Sequence, residues 1–200
     1  MKKFKLPLLI TVIVGLNALI YFRAAATIEP SELIFAECAR NSGRTAAALN
    51  LVILLLIGYF GLKAIYKKER TKSTFQTFMI LFAINHLIHF FFVYQNFKSQ
   101  FVELDISHNL HGFITFILIL VFPIILMISK NLNKFLYAFI LLHLFNVTYF
   151  ISISFYSRVK PVDPAYLHQI GILIMMLAVL YVLYRVFLER SVNFISDNER

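Results

Sequence analysis

Two imidazoles stand inside a single apolar run. His86 and His89 lie near the middle of Phe75 to Tyr94, FQTFMILFAINHLIHFFFVY, with Asn85 beside them. About twenty residues of helix cross a bilayer core. Ionisable side chains at that depth are costly and rare, and they point to function by default. The other histidines are His108, His111, His143 and His168, all in or at the edges of later apolar runs. HLIH (His86, His89) and HNLH (His108, His111) are both H-x-x-H pairs. Positions i and i+3 share a helix face, so each pair can converge on one ligand. Neutral imidazoles ligate iron, zinc or copper without burying side-chain charge, which suits a low-dielectric interior.

Other chemistries lack their residues. The apolar runs contain no Asp or Glu. That argues against a carboxylate-bridged di-iron site, a membrane aspartyl protease and a carboxylate-driven proton transporter. Neither histidine pair reads H-E-x-x-H, so a metalloprotease lacks its general base. There is no G-x-S-x-G elbow and no potassium-filter-like TVGYG. The lone cysteine, Cys38, forms no internal disulfide and cannot by itself hold an iron–sulfur cluster.

The elements that position the histidines follow from hydropathy. The chain is 60% hydrophobic, only 14% charged, and has a mean hydropathy of +0.78. A soluble domain carries about a quarter charged residues. The expected fold is therefore an all-α, polytopic integral membrane bundle with six transmembrane helices in one domain of 200 residues. The expected spans are about 7–26, 46–66, 75–94, 110–129, 135–155 and 166–184. The first follows a basic start (MKKFK) and ends in Arg23 and three alanines. It reads either as a cleaved or uncleaved signal-like segment or as a retained first helix, and its long apolar region favours retention. Thr27 to Thr45 is the long polar stretch between apolar runs, and Ser31 to Arg40 fits a short interfacial helix. Gly58 and Gly61 are small residues that allow close helix approach. Pro123 is expected to kink the fourth span. Pro161 and Pro164 break the pattern before the sixth.

Charge sets the orientation. The formal net charge of +9 reads as topology, not as a sign of nucleic acid. With six spans, 13 Lys and Arg fall on the side of the termini and 6 on the other. Cytoplasmic loops carry the basic excess, so both termini are expected in the cytoplasm, the lipid being a plasma or inner membrane. If the first segment is cleaved, five spans remain with the same orientation. Spans three and five then both run outward. His86 lies roughly 16 Å, and His143 roughly 12 Å, from the cytoplasmic starts of their spans at 1.5 Å per residue. His89, His111 and His168 fall nearer the outer face and are candidates for a second, outer site.

Four stretches carry a resemblance. GRTAAALNLVILLLIGYFG, FAINHLIHFFFVY, HGFITFILILVFPIILMISK and LYAFILLHLFNVTYFI together resemble the ferric-reductase-like transmembrane domain over about residues 43–156. The resemblance implies b-type haem held between histidines of two helices, and electron transfer across the membrane. His86 or His89 matches the first ligand helix, and His143, in the pair Leu142-His143, matches the second. That family's second ligand helix usually bears another histidine further on. Here Tyr156 stands thirteen residues beyond His143, and Ser99 thirteen beyond His86, a departure from a two-haem wire. No flavin- or nicotinamide-binding stretch accompanies the spans, so the resemblance implies a separate electron donor and an outer-side redox partner.

Two functions are carried forward. One is a membrane haem-b protein, the electron-transfer component of an oxidoreductase, with His86 and His143 as axial ligands and His89 as the alternate. The other is a non-redox membrane protein, a small transporter or assembly factor, whose histidines line a cavity or bind a transition metal. Against both stands the plain alternative that membrane histidines are hydrogen-bonded packing groups.

Overall fold

The computed structural model describes residues 5–103, 105, 107, 109–157 and 165–198. His108, Arg158, Lys160, Pro161 and Pro164 lie outside the described residues. Every regular element among them is helical: α1 (Lys5–Thr27), a single 3-10 turn (Ser31–Leu33), α2 (Ile34–Phe60), α3 (Leu62–Lys67), α4 (Glu69–Ser99), α5 (Leu110–Ile128), α6 (Lys134–Ser157) and α7 (Ala165–Asn198). Six of these stretches are long and apolar enough to cross a membrane: Leu6–Thr27, Ser31–Phe60, Glu69–Ser99, Leu110–Ile128, Lys134–Tyr156 and Tyr166–Glu189. The all-helical, six-span expectation agrees with that architecture.

Several boundaries differ from expectation: α4 runs from Glu69 to Ser99 instead of about 75–94, α7 continues past 184, and both ends of the second span move. The second span starts near Ser31 instead of near 46, and no separate interfacial helix precedes it. The polar residues at 37–45 do not interrupt the helix because they bond one another along it. Arg40 pairs with Glu37 at 3.0 Å, and Asn41 Nδ2 donates to Glu37 Oε1 at 2.7 Å. Arg44 Nη1 donates to Asn41 Oδ1 at 3.1 Å. These are i,i+3 and i,i+4 partners, neighbours on one helix face. Cys38, Ala39, Ser42, Ala46 and Ala47 form the complementary buried stripe. A carboxylate, Glu37, thus does lie within a membrane-length helix, in its first turn.

The same span ends at Phe60, not at 66, because Gly61 has φ +78° and ψ 147°. That region is essentially open to glycine alone. The chain restarts as the short helix α3. The fourth span, α5, runs through Pro123, which is buried within it.

The described chain divides into two compact units, each drawing on parts of α2 and α4. The first comprises residues 1–49 and 76–128. Its core joins α1, α2 and α4: Ala24, Cys38, Ala39 and Phe92 are buried, with Ile20, Ile28, Phe35 and Ile88 packed on them. Small residues at such contacts let membrane helices approach closely, where lipid gives no hydrophobic drive for association. α5 adds a stacked pair, Phe90 and Phe116, with centroids 4.3 Å apart. The second unit comprises residues 50–75 and 129–200. Its helices bury narrow stripes at helical spacing: Ile53, Leu54 and Ile57 on α2; Ile140, Leu144, Val147 and Ile151 on α6; Met175, Ala178 and Val182 on α7. α6 and α7 pack on each other.

Candidate functional site

α4 carries the candidate site of the first unit. Its apolar run makes a continuous helix from Glu69 to Ser99, so Phe82, Asn85, His86 and His89 fall within two turns. His86 is only 6% exposed and lies against the Phe82 ring, with centroids 4.6 Å apart. The His86 and His89 rings are edge to face, 5.7 Å between centroids. His89 is half-buried.

A chain of polar bonds leads to His89. Asn17 Nδ2 on α1 donates to Asn85 Oδ1 at 3.0 Å and to Ile13 O at 2.9 Å. Asn85 Nδ2 donates to the Ser42 carbonyl of α2 at 3.1 Å. Ser42 Oγ lies 3.0 Å from His89 Nδ1 and donates to Ala39 O at 3.2 Å. Asn17, Ser42 and Asn85 are all buried. The imidazole of His89 also occupies the space that a side chain at position 43 would fill. A Cβ on Gly43 would stand 3.3 Å from His89 Cε1.

The second unit holds His143 and His168. His143 on α6 is 3% exposed, the most enclosed of the described histidines. His168 on α7 is 8% exposed, its ring edge-on to Phe155 at 5.8 Å. Nearby on the same helix as His143, Thr148 accepts a 2.9 Å bond from Asn50 Nδ2 and donates to Leu144 O at 2.8 Å. His111, at the start of α5 in the first unit, is exposed. Among the described residues, no three side chains of His, Cys, Asp or Glu are placed to hold a metal ion together.

A further polar arrangement sits where α2 breaks. Arg185 Nη2 on α7 donates to Phe60 O at 3.0 Å, at the end of α2. The Glu189 carboxylate accepts from Lys63 N at 3.3 Å, at the start of α3, and from Tyr137 Oη at 3.0 Å. One turn of α7 thereby satisfies both sides of the break, since Arg185 and Glu189 are four residues apart. Beyond the break, burial pushes the Tyr66 phenol up to about 12, and Lys72 Nζ stands 5.3 Å from its ring centroid.

The sequence points to His86, His89, His111, His143 and His168, together with Asn85, and to His108, which lies outside the described residues. Residue type and spacing alone do not point to Asn17, Ser42, Asn50, Thr148, Arg185 or Glu189. Asn17 offered one signal, as the only amide in the run from Pro7 to Phe22. No protein family, curated protein or solved structure matches this chain.

Proposed function

We propose that this chain is a membrane haem-b protein that passes electrons to an outer-side acceptor and receives them from a separate donor. The observation that carries the reading is the donor set. Buried imidazoles stand at His86 and His143, and no trio of ligating side chains occurs among the described residues. A zinc or copper ion bound by protein alone asks for three or four such groups. A haem iron takes its equatorial nitrogens from the porphyrin and asks the protein for one or two axial ligands. The residues therefore fit this group better than a free ion. When bound, haem b supplies a one-electron ferric–ferrous couple.

This chain's own part is to hold and to seal. His86 and His143 are the imidazoles that would hold the haem, with His89 as the alternate on α4. Neutral imidazoles bring no side-chain charge into the membrane. Phe82 packs against the His86 ring, which is buried. The proposed orientation has both termini in the cytoplasm of a cell bounded by a plasma or inner membrane, from the 13-to-6 basic asymmetry.

An absorbance spectrum tests the reading. The protein, purified in mild detergent from cells with ample haem, is expected to show a Soret band and an α-band that sharpens on reduction. His86→Ala and His143→Ala are each expected to abolish haem retention, while His89→Ala leaves the inner site occupied. A colourless protein sinks the proposal. It would promote the non-redox reading, a transporter or assembly factor with a histidine-lined cavity. That reading draws on one observation, the buried polar chain from Asn17 to His89.

A further inference from the structure

Ser42 touches α4 twice, through different atoms. Its carbonyl accepts from Asn85 Nδ2, and its hydroxyl meets His89 Nδ1. Asn85 and His89 are four residues apart, so they project from the same face on successive turns. The amide bond fixes the separation of α2 and α4 at the residue that bears the hydroxyl. Asn17 holds the amide in turn by donating to its oxygen, which orients the Asn85 NH2 toward Ser42. Gly43, next to Ser42, gives the imidazole its room.

The proton count then decides the state of the ring. A serine hydroxyl has one proton and two lone pairs. Ser42 spends that proton on Ala39 O, the backward bond that serine commonly makes inside a helix. With that proton on Ala39 O, the oxygen faces Nδ1 with a lone pair, and the 3.0 Å contact suits a proton on Nδ1. In a neutral imidazole one nitrogen is protonated and the other is basic. The bond made by one nitrogen selects the role of the other.

We infer that Ser42 is the positioning residue of His89, holding the neutral ring as its Nδ1–H tautomer so that Nε2 is the nitrogen that binds a proton or a metal centre. The hydrogen bonds alone carry the tautomer. Its use at an iron rests on the haem reading, in which His89 is the alternate ligand of α4. An Nδ1–H bond to a fixed acceptor also orients a ligating ring and raises its basicity.

Nitrogen-15 NMR tests this on the full-length protein in detergent micelles, labelled at histidine and prepared without added haem. His89→Gln assigns the resonances. At alkaline pH the wild type is expected to show a protonated His89 Nδ1 and a bare Nε2. Ser42→Ala is expected to shift His89 toward the Nε2–H form. Ser42→Thr, which keeps a hydroxyl able to make the same backward bond, is expected to restore the wild-type pattern. His143 serves as the internal control, and its signals are expected to stay put in both variants. A wild-type His89 already in the Nε2–H form overturns the inference. So does a Ser42→Ala variant whose histidine spectrum matches wild type. If Ser42→Ala does not fold, the wild-type tautomer alone decides. A protein with no Soret band but an Nδ1–H His89 defeats the haem reading and leaves the role of Ser42 standing.

Discussion

The two units solve the same problem, buried polarity in an apolar chain, in opposite ways. In the first, side chains bond to side chains and to one carbonyl across three helices, from Asn17 through Asn85 to Ser42 and His89. In the second, Arg185 and Glu189 bond chiefly to backbone, at Phe60 O and Lys63 N on either side of Gly61. The first arrangement ends on a titratable ring and sets its orientation. The second ends on helix termini and replaces the bonds that a break in α2 removes. Where a helix of this length crosses a bilayer, an unbonded backbone group has no water to turn to, and a break in it requires such replacements. The first unit's chain of polar bonds thus reaches an imidazole, and the second unit's reaches the backbone at the break.

The largest effect is expected where the backbone itself is at stake. Gly61→Ala places a Cβ against the Glu189 carboxylate and 2.8 Å from Arg185 Nε, on a backbone with φ +78°. The backbone strain alone is worth about 1–3 kcal/mol. Moving Glu189 and Arg185 aside also uncovers Lys63 N and Phe60 O. Thermal unfolding in detergent is expected to show a drop larger than that of any polar substitution in the first unit. Equal melting temperatures for Gly61→Ala and wild type would erase the distinction between the units.

Asn85→Leu is expected to come next. The change keeps the branched shape and removes both amide bonds, one to Asn17 and one to the Ser42 carbonyl. Polar contacts between membrane helices are worth about 0.6 kcal/mol on average and up to about 2 kcal/mol. Two lost bonds therefore put the cost near about 1–2 kcal/mol, below that of Gly61→Ala. The change is also expected to weaken the tautomer preference of His89 less than Ser42→Ala does, because the hydroxyl remains. A larger loss of preference in Asn85→Leu would mean that the spacing of α2 and α4, more than the hydroxyl, governs the ring.

Much of the architecture was legible from hydropathy, since six long apolar runs become six membrane-length helices. The start of α2 was not. Glu37, Arg40, Asn41 and Arg44 read as a polar loop by composition, yet their i,i+3 and i,i+4 spacing lets them satisfy one another on a helix. The break at Gly61 was also hidden, because the apolar pattern continues through Leu62, Ile65 and Tyr66. A glycine there fits close packing as well as it fits a positive φ. At the candidate site, residue type alone exposed the histidines. It could not reveal that Ser42 would meet a ring 47 positions away, or that Asn17 would meet an amide 68 positions away. Those partners depend on which helix faces meet, which a run of Leu, Ile and Phe leaves open.

The smallest effect is expected at Asn50, the second unit's counterpart to Asn85. Both are fully buried asparagines inside a span. Asn85 uses its oxygen and its nitrogen, bridging two other helices. Asn50 uses its nitrogen alone, on Thr148 Oγ1, and its Oδ1 has no hydrogen-bond partner. Replacing it with leucine removes one bond but also removes a buried carbonyl oxygen that was already unsatisfied, and the two terms oppose each other. Thr148 keeps a partner after the change, because its hydroxyl still donates to Leu144 O. Asn50→Leu is therefore expected to change stability by less than about 1 kcal/mol, and stabilisation is an allowed sign. Side-by-side unfolding of Asn50→Leu and Asn85→Leu, an identical substitution in each unit, isolates the polar connection from the side-chain volume. If Asn50→Leu proves the more damaging of the two, buried amides in the second unit carry more than one bond's worth of organisation. The contrast between a side-chain chain in one unit and a backbone clamp in the other would then have to be abandoned.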